Sequence, residues 1–317
     1  MPAESNCPDF RYVLITAAFN EEQHLEETIC SVVQQMVRPA VWVIVSDGST
    51  DRTDEIAMQY AARHGFIRCV RRQRDGHRGF ASKVFALRAG FDALTPPAAP
   101  FIGHVDADLV FPPSYFGDLL RKFHANARLG VAGGWYVENI GREYRPACGS
   151  SGNSVPGGLQ MFRRECFNAI GPLLPIEFGG EDWYAEIRAR QCGWQVESFP
   201  ELRVRHLRAR GKKDGRLRYC YREGLAEYAM GSHPLFGLAK VIRRIPSRPY
   251  VLCALARLAG FAAAPVLIKR MVPPELVTFL QAEQLARLRS MARGLLRGKV
   301  RPEMARQAPS SEAGRAA

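Results

Sequence analysis

Val41-Trp42-Val43-Ile44-Val45, continued by Ser46-Asp47-Gly48-Ser49-Thr50-Asp51, is the stretch on which the fold turns. So unbroken an apolar run does not suit a strand with one face in water, and it reads as a strand buried on both faces. The turn formers after it end the strand and open a helix that reaches about His64. Working outward, Tyr12 to Ala17 is a second apolar run, followed by Asn20-Glu21-Glu22-Gln23. Asn20 stands there as an N-cap with Gln23 three residues on, which predicts a helix to about Gln35. Ile67 to Val70 is a short strand, Phe80 to Ala93 a helix, Pro96-Pro97 a breaker, and Phe101-Ile102-Gly103 the next strand. Strands and helices alternating in this way predict an α/β fold with a buried parallel sheet.

The last of these strands runs into His104-Val105-Asp106-Ala107-Asp108. Ligands of open parallel sheets bind at the carboxyl ends of strands, and Asp47, Asp106 and Asp108 all fall on that edge. Two carboxylates one residue apart suit a hard divalent cation, which takes oxygen ligands and shares them with substrate phosphates. An isolated Asp-x-Asp is equally what a solvated strand-to-turn junction looks like. A dinucleotide site is excluded, because the turn after the first strand reads Ala-Ala-Phe-Asn-Glu-Glu and has no glycine to cradle a pyrophosphate. Phe19 in that turn offers a ring that either stacks on a base or packs in the core, and Asp47 an acceptor for a base or ribose.

Taken in order, Ile-Thr-Ala-Ala-Phe-Asn-Glu-Glu, Val-Ser-Asp-Gly-Ser-Thr-Asp-Arg-Thr, the basic stretch Gly76-His77-Arg78-Gly79 to Lys83, and Val-Asp-Ala-Asp resemble the nucleotide-sugar-binding half of a family 2 glycosyltransferase. The resemblance covers residues 10 to 210 and implies the GT-A fold, a Rossmann-like mixed, mainly parallel sheet flanked by helices. It further implies donor binding by Ala17, Phe19, Glu21, Asp47, Arg78, Lys83 and Asp106, and a Mg²⁺ or Mn²⁺ ion on Asp108, Asp106 and His206. Related sequences often carry a proline or a hydroxyl where this chain has Ala17, which leaves only backbone to contribute there.

Inverting sugar transfer needs a base for the acceptor hydroxyl and stabilisation of the departing nucleoside diphosphate. Gly179-Gly180-Glu181-Asp182-Trp183 resembles the family's Glu-Asp motif, which implies Asp182 as the base and Glu181 as the group that orients acceptor hydroxyls. The same two acids also read as caps of the helix through Gln191, since negative charge is favoured at a helix N-terminus. Trp183 either stacks on an acceptor sugar or anchors that helix, and Gly157-Gly158 either admits an acceptor close to the backbone or makes a plain tight turn. Val204-Arg205-His206 ends a further strand, and Arg208, Arg210, Lys212 and Lys213 after it either cover a diphosphate or form a solvated basic loop.

The chain of 317 residues carries a net charge of +13, concentrated in its last third, where residues 203–301 hold 22 Lys and Arg against 5 Asp and Glu. A clustered positive field draws any polyanion. The eight cysteines form no CxxC pair and the start lacks a basic-then-apolar leader, so a reduced, cytoplasmic protein is expected. Val251 to Ile268 is strongly apolar but broken by Arg257 and Pro265, a poor membrane span. Flanked by Arg243, Arg244, Arg248, Lys269 and Arg270, and followed by the amphipathic Leu276 to Leu296, it reads as helices in an anionic membrane interface or as a hairpin packed on protein.

The expected organisation is a catalytic domain over 1–230, a basic helical extension over 231–301 and a disordered tail over 302–317. The expected activity moves a sugar from a UDP-, GDP- or dTDP-sugar to a glycan acceptor, lipid-linked, at the inner face of the cytoplasmic membrane in surface polysaccharide assembly. A polyprenyl-phosphate sugar synthase of the same fold is the alternative enzyme. A nucleic-acid or polyanion binder using the basic third is the alternative from another class, and no nucleic acid is expected.

Overall fold

The computed structural model describes residues 9–74, 80–94, 99–140, 143–146, 152–177, 179–208, 215–244 and 250–296. Arg78, Arg210, Lys212, Lys213 and Arg248 lie outside them. The first half runs β1 (Tyr12–Ala18), α1 (Leu25–Val33), β2 (Val41–Asp47), α2 (Thr53–Arg63), β3 (Ile67–Arg72), α3 (Phe80–Asp92), β4 (Phe101–His104), β5 (Leu109–Val110) and α4 (Tyr115–Ala125). It continues with β6 (Leu129–Ile140), β7 (Glu143–Pro146), a 3₁₀ turn (Gly157–Leu159), β8 (Met161–Arg163), α5 (Arg164–Ile170), α6 (Glu181–Gln191) and β9 (Gln195–His206). Four helices follow: α7 (Arg216–Ala229), α8 (Pro234–Arg244), α9 (Tyr250–Leu267) and α10 (Pro274–Leu296).

One mixed sheet has the order β3-β2-β1-β4-β8-β6-β9-β5, with β7 on β6. β3, β2, β1 and β4 are parallel. β1 and β2 are almost wholly buried, as the continuous apolar runs require, and the Trp42 indole N–H is satisfied inside the core by Thr16 Oγ1 at 3.0 Å. β8 is antiparallel to β4, β6 is antiparallel to β8 and so runs with β4 again, and β9 is parallel to β6, so the carboxyl ends of β1, β2 and β9 approach one region. The paired aspartates lie just past β4, and β5 is held antiparallel to the end of β9, with Leu109 level with His206.

Asn20 is not a helix cap. α1 starts at Leu25 after His24, and Asn20 sits at φ 53°, the left-handed conformation that asparagine tolerates better than most residues. From there its side-chain oxygen accepts the Thr50 N–H at 2.9 Å. Glu21 N–H donates to Thr53 Oγ1 at 2.8 Å, Glu22 N–H to Asp51 Oδ2 at 3.1 Å, and Arg52 N–H back to the Glu22 carboxylate at 3.2 Å. Asp51 also accepts from Thr53 N–H at 3.0 Å, which turns the chain into α2. The loops after β1 and β2 are thus laced into one rigid edge.

A second apolar cluster lies behind α6, where Ile176, Tyr184, Ile187 and Met230 meet Val272, Leu276, Val277 and Leu280. Arg190 of α6 pairs with Glu283 of α10 at 3.0 Å. The expectation that Leu276 to Leu296 turns its apolar stripe to lipid is therefore corrected for its first turns, which cover α6 instead. α8 and α9 keep exposed apolar residues, among them Leu235, Leu238, Leu252, Leu255 and Val266, the last 90% exposed. Among the described residues no helix is long and apolar enough to cross a membrane.

Candidate active site

The acids at the sheet edge are held by different partners. Asp47, 2% exposed, is enclosed by cations and a hydroxyl: Arg72 and Ser82 bond its two oxygens, and Arg74 Nε lies 3.2 Å from Oδ2. The Arg74 guanidinium also lies 3.5 Å from the centre of the Phe19 ring. A nucleobase meeting Phe19 and Asp47 therefore meets Arg74 as well, at the end of β1 where Ala17 and Ala18 supply only backbone. Arg72, Arg74 and Ser82 carry no motif and were not anticipated.

Lys83, on the first turns of α3, reaches into the centre of the site. Its ammonium is 2.7 Å from Asp106 and 3.6 Å from Glu181. Burial works against the Lys83 charge, but Asp106 and Glu181 outweigh it and raise its pKa. Burial likewise opposes the charge on Asp106, and Lys83 overcomes it and lowers that carboxyl, while Glu181 stays raised by burial despite Lys83. Lys83 thus ties Asp106 to Glu181 of the Glu-Asp motif, a link that the expectation of donor binding did not include.

The 3₁₀ turn joins the same two halves. A Cβ on Gly158 would overlap Asp106 Oδ2 and stand 2.6 Å from the Tyr136 hydroxyl, which accepts the Gly158 N–H at 3.1 Å. A Cβ on Gly157 would stand 2.7 Å from Asp182 Oδ2. These glycines are required by the two carboxylates packed on them, a more immediate demand than the approach of an acceptor. Neighbouring Cα atoms lie about 3.8 Å apart, so Asp106 and Asp182 flank a single short piece of backbone.

Asp182 opens α6 and accepts the Trp183 N–H at 2.8 Å. The turn is fastened to α6 by Gln160, whose amide donates to Asp182 O at 3.1 Å, and by Glu186, which accepts from Val155 N–H at 2.6 Å and from Ser154 Oγ at 3.2 Å. Burial, reinforced by the Asp182 charge, pushes the Glu186 carboxyl up to about 8. Trp183, for which an acceptor platform and a helix anchor were both open, packs against the second cluster, with Lys240 5.9 Å from its ring centre.

At the far side of the edge, His206 Nε2 faces Asp108 Oδ2 at 3.3 Å, and Asp108 is 7% exposed. The imidazole is stacked on Tyr136 with ring centres 5.0 Å apart. Glu21 lies here too, 2.5 Å from Arg208, whose Nε is 4.0 Å from Asp108. Burial pushes the Glu21 carboxyl up to about 7, with Arg208 opposing and Asp108 adding to the rise. Among the described residues no group of three metal-ligating side chains is assembled. Asp106, expected as a third ligand, is neutralised by Lys83, which leaves Asp108 and His206 as the pair. Two lone-pair donors that face each other across 3.3 Å need a proton or a cation between them, and a carboxylate and imidazole completed by phosphate and water form a donor set that suits a divalent metal. A separate cavity of about 300 Å³, lined by Asn153, Arg190, Trp194 and Glu197 among others, lies toward the opposite end of β9 and contains none of these acids.

Known proteins match this frame. The sequence pattern of the family described as Glycosyl transferase family 2 matches residues 13–180. An uncharacterised glycosyltransferase of Bacillus subtilis (strain 168), EpsJ, is 29% identical over 129 residues, 41% of this chain and 35% of that protein. The matched part thus spans about a third of the relative's length. The mannosyltransferase PcManGT from Pyrobaculum calidifontis, solved in complex with GDP-Man and Mn²⁺, superposes with a TM-score of 0.52 at 18% identity, covering 91% of this chain and 83% of that one. At that identity the likeness is one of fold.

Proposed function

The chain belongs to glycosyl transferase family 2, and from that premise we propose an inverting, divalent-cation-assisted transfer of a sugar from a nucleotide-diphosphate donor to a lipid-linked glycan, at the inner face of the cytoplasmic membrane. The observation that carries the reading is the Gly157–Gly158 turn with Asp106 packed on one side and Asp182 on the other. It supports the reading because Asp106 and Asp182 then lie against neighbouring residues of one turn.

In this reading the donor's base lies by Phe19, Asp47 and Arg74, and its diphosphate by Asp108, His206 and Arg208. Asp182 takes the proton of the acceptor hydroxyl as that oxygen bonds to the anomeric carbon and the bond to the diphosphate oxygen breaks on the opposite face. A cation on Asp108 and His206 supplies neutralisation of the diphosphate charge when bound. Lys83 keeps Asp106 and Glu181 from repelling each other, and Glu181 orients acceptor hydroxyls.

A thermal-shift screen of UDP-, GDP- and dTDP-sugars with and without Mn²⁺ tests the donor half, because a ligand of the native state raises stability by mass action. The stabilising donor should do so in a Mn²⁺-dependent way, and Asp108→Ala should abolish that dependence without lowering the melting temperature of the free protein. Retention of full Mn²⁺-dependent affinity by the variant in calorimetry would remove Asp108 from the cation site.

The membrane half rests on α9, where Leu252, Leu255, Ala259, Ala262 and Val266 follow one another along one exposed face, with Lys269 and Arg270 exposed just beyond it. Apolar residues at the headgroup boundary and basic residues at about 1 kcal/mol each near anionic lipid act together. Flotation with anionic vesicles should rise with anionic lipid and fall with salt. A Leu252→Asp, Leu255→Asp variant should lose about a hundredfold in vesicle affinity, given about 1.5 kcal/mol per buried leucine, while binding donor normally. Point changes are needed because truncation before α10 would uncover α6. An intact chain that ignores anionic vesicles at low salt would refute the anchor.

A further inference from the structure

β6 and β9 run parallel with Glu138 level with His206. Their side chains meet with Glu138 Oε1 3.7 Å from His206 Nδ1. Both atoms are shut away from water, and among the described residues neither has a hydrogen-bond partner. Buried polar groups rarely stay unpaired, and each such exception calls for a reason. Here a buried acceptor faces a buried ring nitrogen across a gap slightly too long to be a bond.

The rest of the ring is already committed. Nε2 faces Asp108 at 3.3 Å, and Tyr136 lies flat against the imidazole with 20° between the ring planes. Tyr136 is itself fastened through its hydroxyl to Gly158 N–H. The imidazole therefore points one nitrogen at each of two carboxylates. A neutral imidazole carries one N–H, and its other nitrogen alone can ligate a metal; which is which depends on the hydrogen bond made by the first.

We propose that Glu138 is the positioning residue of the cation site: by accepting the Nδ1–H of His206 it holds the tautomer whose Nε2 lone pair meets the cation beside Asp108. This rests on the reading of Asp108 and His206 as cation ligands. Partners of this kind are commonly worth about 10- to 100-fold in metal affinity. Strand pairing delivers the partner here, since Glu138 and His206 are brought level by the β6–β9 register and by nothing in the local sequence.

The test uses the full chain with Mn²⁺, in the presence of the nucleoside diphosphate that stabilises it, and the variants Glu138→Ala, Glu138→Gln and His206→Ala. Glu138→Ala should weaken Mn²⁺ binding about 10- to 100-fold. Glu138→Gln should recover most of that loss, because its amide oxygen accepts the same N–H, and metal-free nucleotide affinity should not change in either variant. In ¹⁵N imidazole spectra of the Mg²⁺ complex, His206 should be protonated at Nδ1 in the wild type and in Glu138→Gln, and a mixture of tautomers in Glu138→Ala. Wild-type Mn²⁺ affinity in Glu138→Ala, alongside its loss in His206→Ala, overturns the role of Glu138 and leaves the cation site standing. Wild-type affinity in His206→Ala overturns the cation site and the proposal together. Should Glu138→Ala fail to fold, the wild-type spectrum decides, because a proton on Nε2 in the Mg²⁺ complex is incompatible with the proposal.

Discussion

Asp182→Asn should give a protein that binds its nucleotide-sugar donor normally and transfers the sugar at least about 10²-fold more slowly, the usual range for a lost general base. An amide of the same size cannot take the acceptor's proton. It can still accept the Trp183 N–H that Asp182 Oδ1 accepts, and it still fits against Gly157, so the turn and the helix start keep their shape. In the proposed reading the donor side rests on Asp106, Lys83 and Asp47, none of which the substitution replaces. Calorimetry with the donor and a single-turnover transfer assay separate the two effects. Equal losses in donor affinity and in rate would make Asp182 a part of the turn's architecture with no part in proton transfer.

Gly158→Ala should damage both halves of the site at once. The added methyl would overlap the Asp106 carboxylate and crowd the Tyr136 hydroxyl, and Asp106 is held from its other side by Lys83 at 2.7 Å. Asp106 can yield only by giving up its contact with Lys83, and overpacking of this kind costs about 1–3 kcal/mol. The expected result is a lower melting temperature together with loss of donor binding. Gly152→Ala is the internal control, since a Cβ there meets nothing within 4 Å, and it should leave both unchanged. Normal donor binding by Gly158→Ala would mean that Asp106 is free to move and that the turn does not fix it.

The parallel half of the sheet was legible because strands buried on both faces have to be continuously apolar, and Tyr12 to Ala17 and Val41 to Val45 are. Of the other half, only the end of β9 at His206 was. β6 reads Leu-Gly-Val-Ala-Gly-Gly-Trp-Tyr-Val-Glu-Asn-Ile, with glycines that weaken any strand signal, and β9 contains Pro200 and a register shift against β6. The acids of the site were legible from their places at strand ends and before α6. Their partners were not, because Arg72, Ser82, Glu138, Gln160 and Glu186 become neighbours of those acids only through tertiary packing. The amphipathic stripe of α10 was visible as a pattern, but a pattern does not say whether protein or lipid will cover it, and here Tyr184 and Ile187 do.

That last contact bears on the order in which the molecule comes into being. The helix that begins with Glu181 and Asp182 rests on Leu276, Val277 and Leu280, which the ribosome delivers long after it. The parallel strands can pair and bury their side chains early in synthesis, whereas α6 keeps an apolar back without its mate until α10 emerges. Domains tend to fold as their residues become available, and exposed apolar surface is what chaperones detect in the interval. The helix that carries Asp182 is therefore fixed in place later than the parallel strands whose ends carry Asp47 and Asp106.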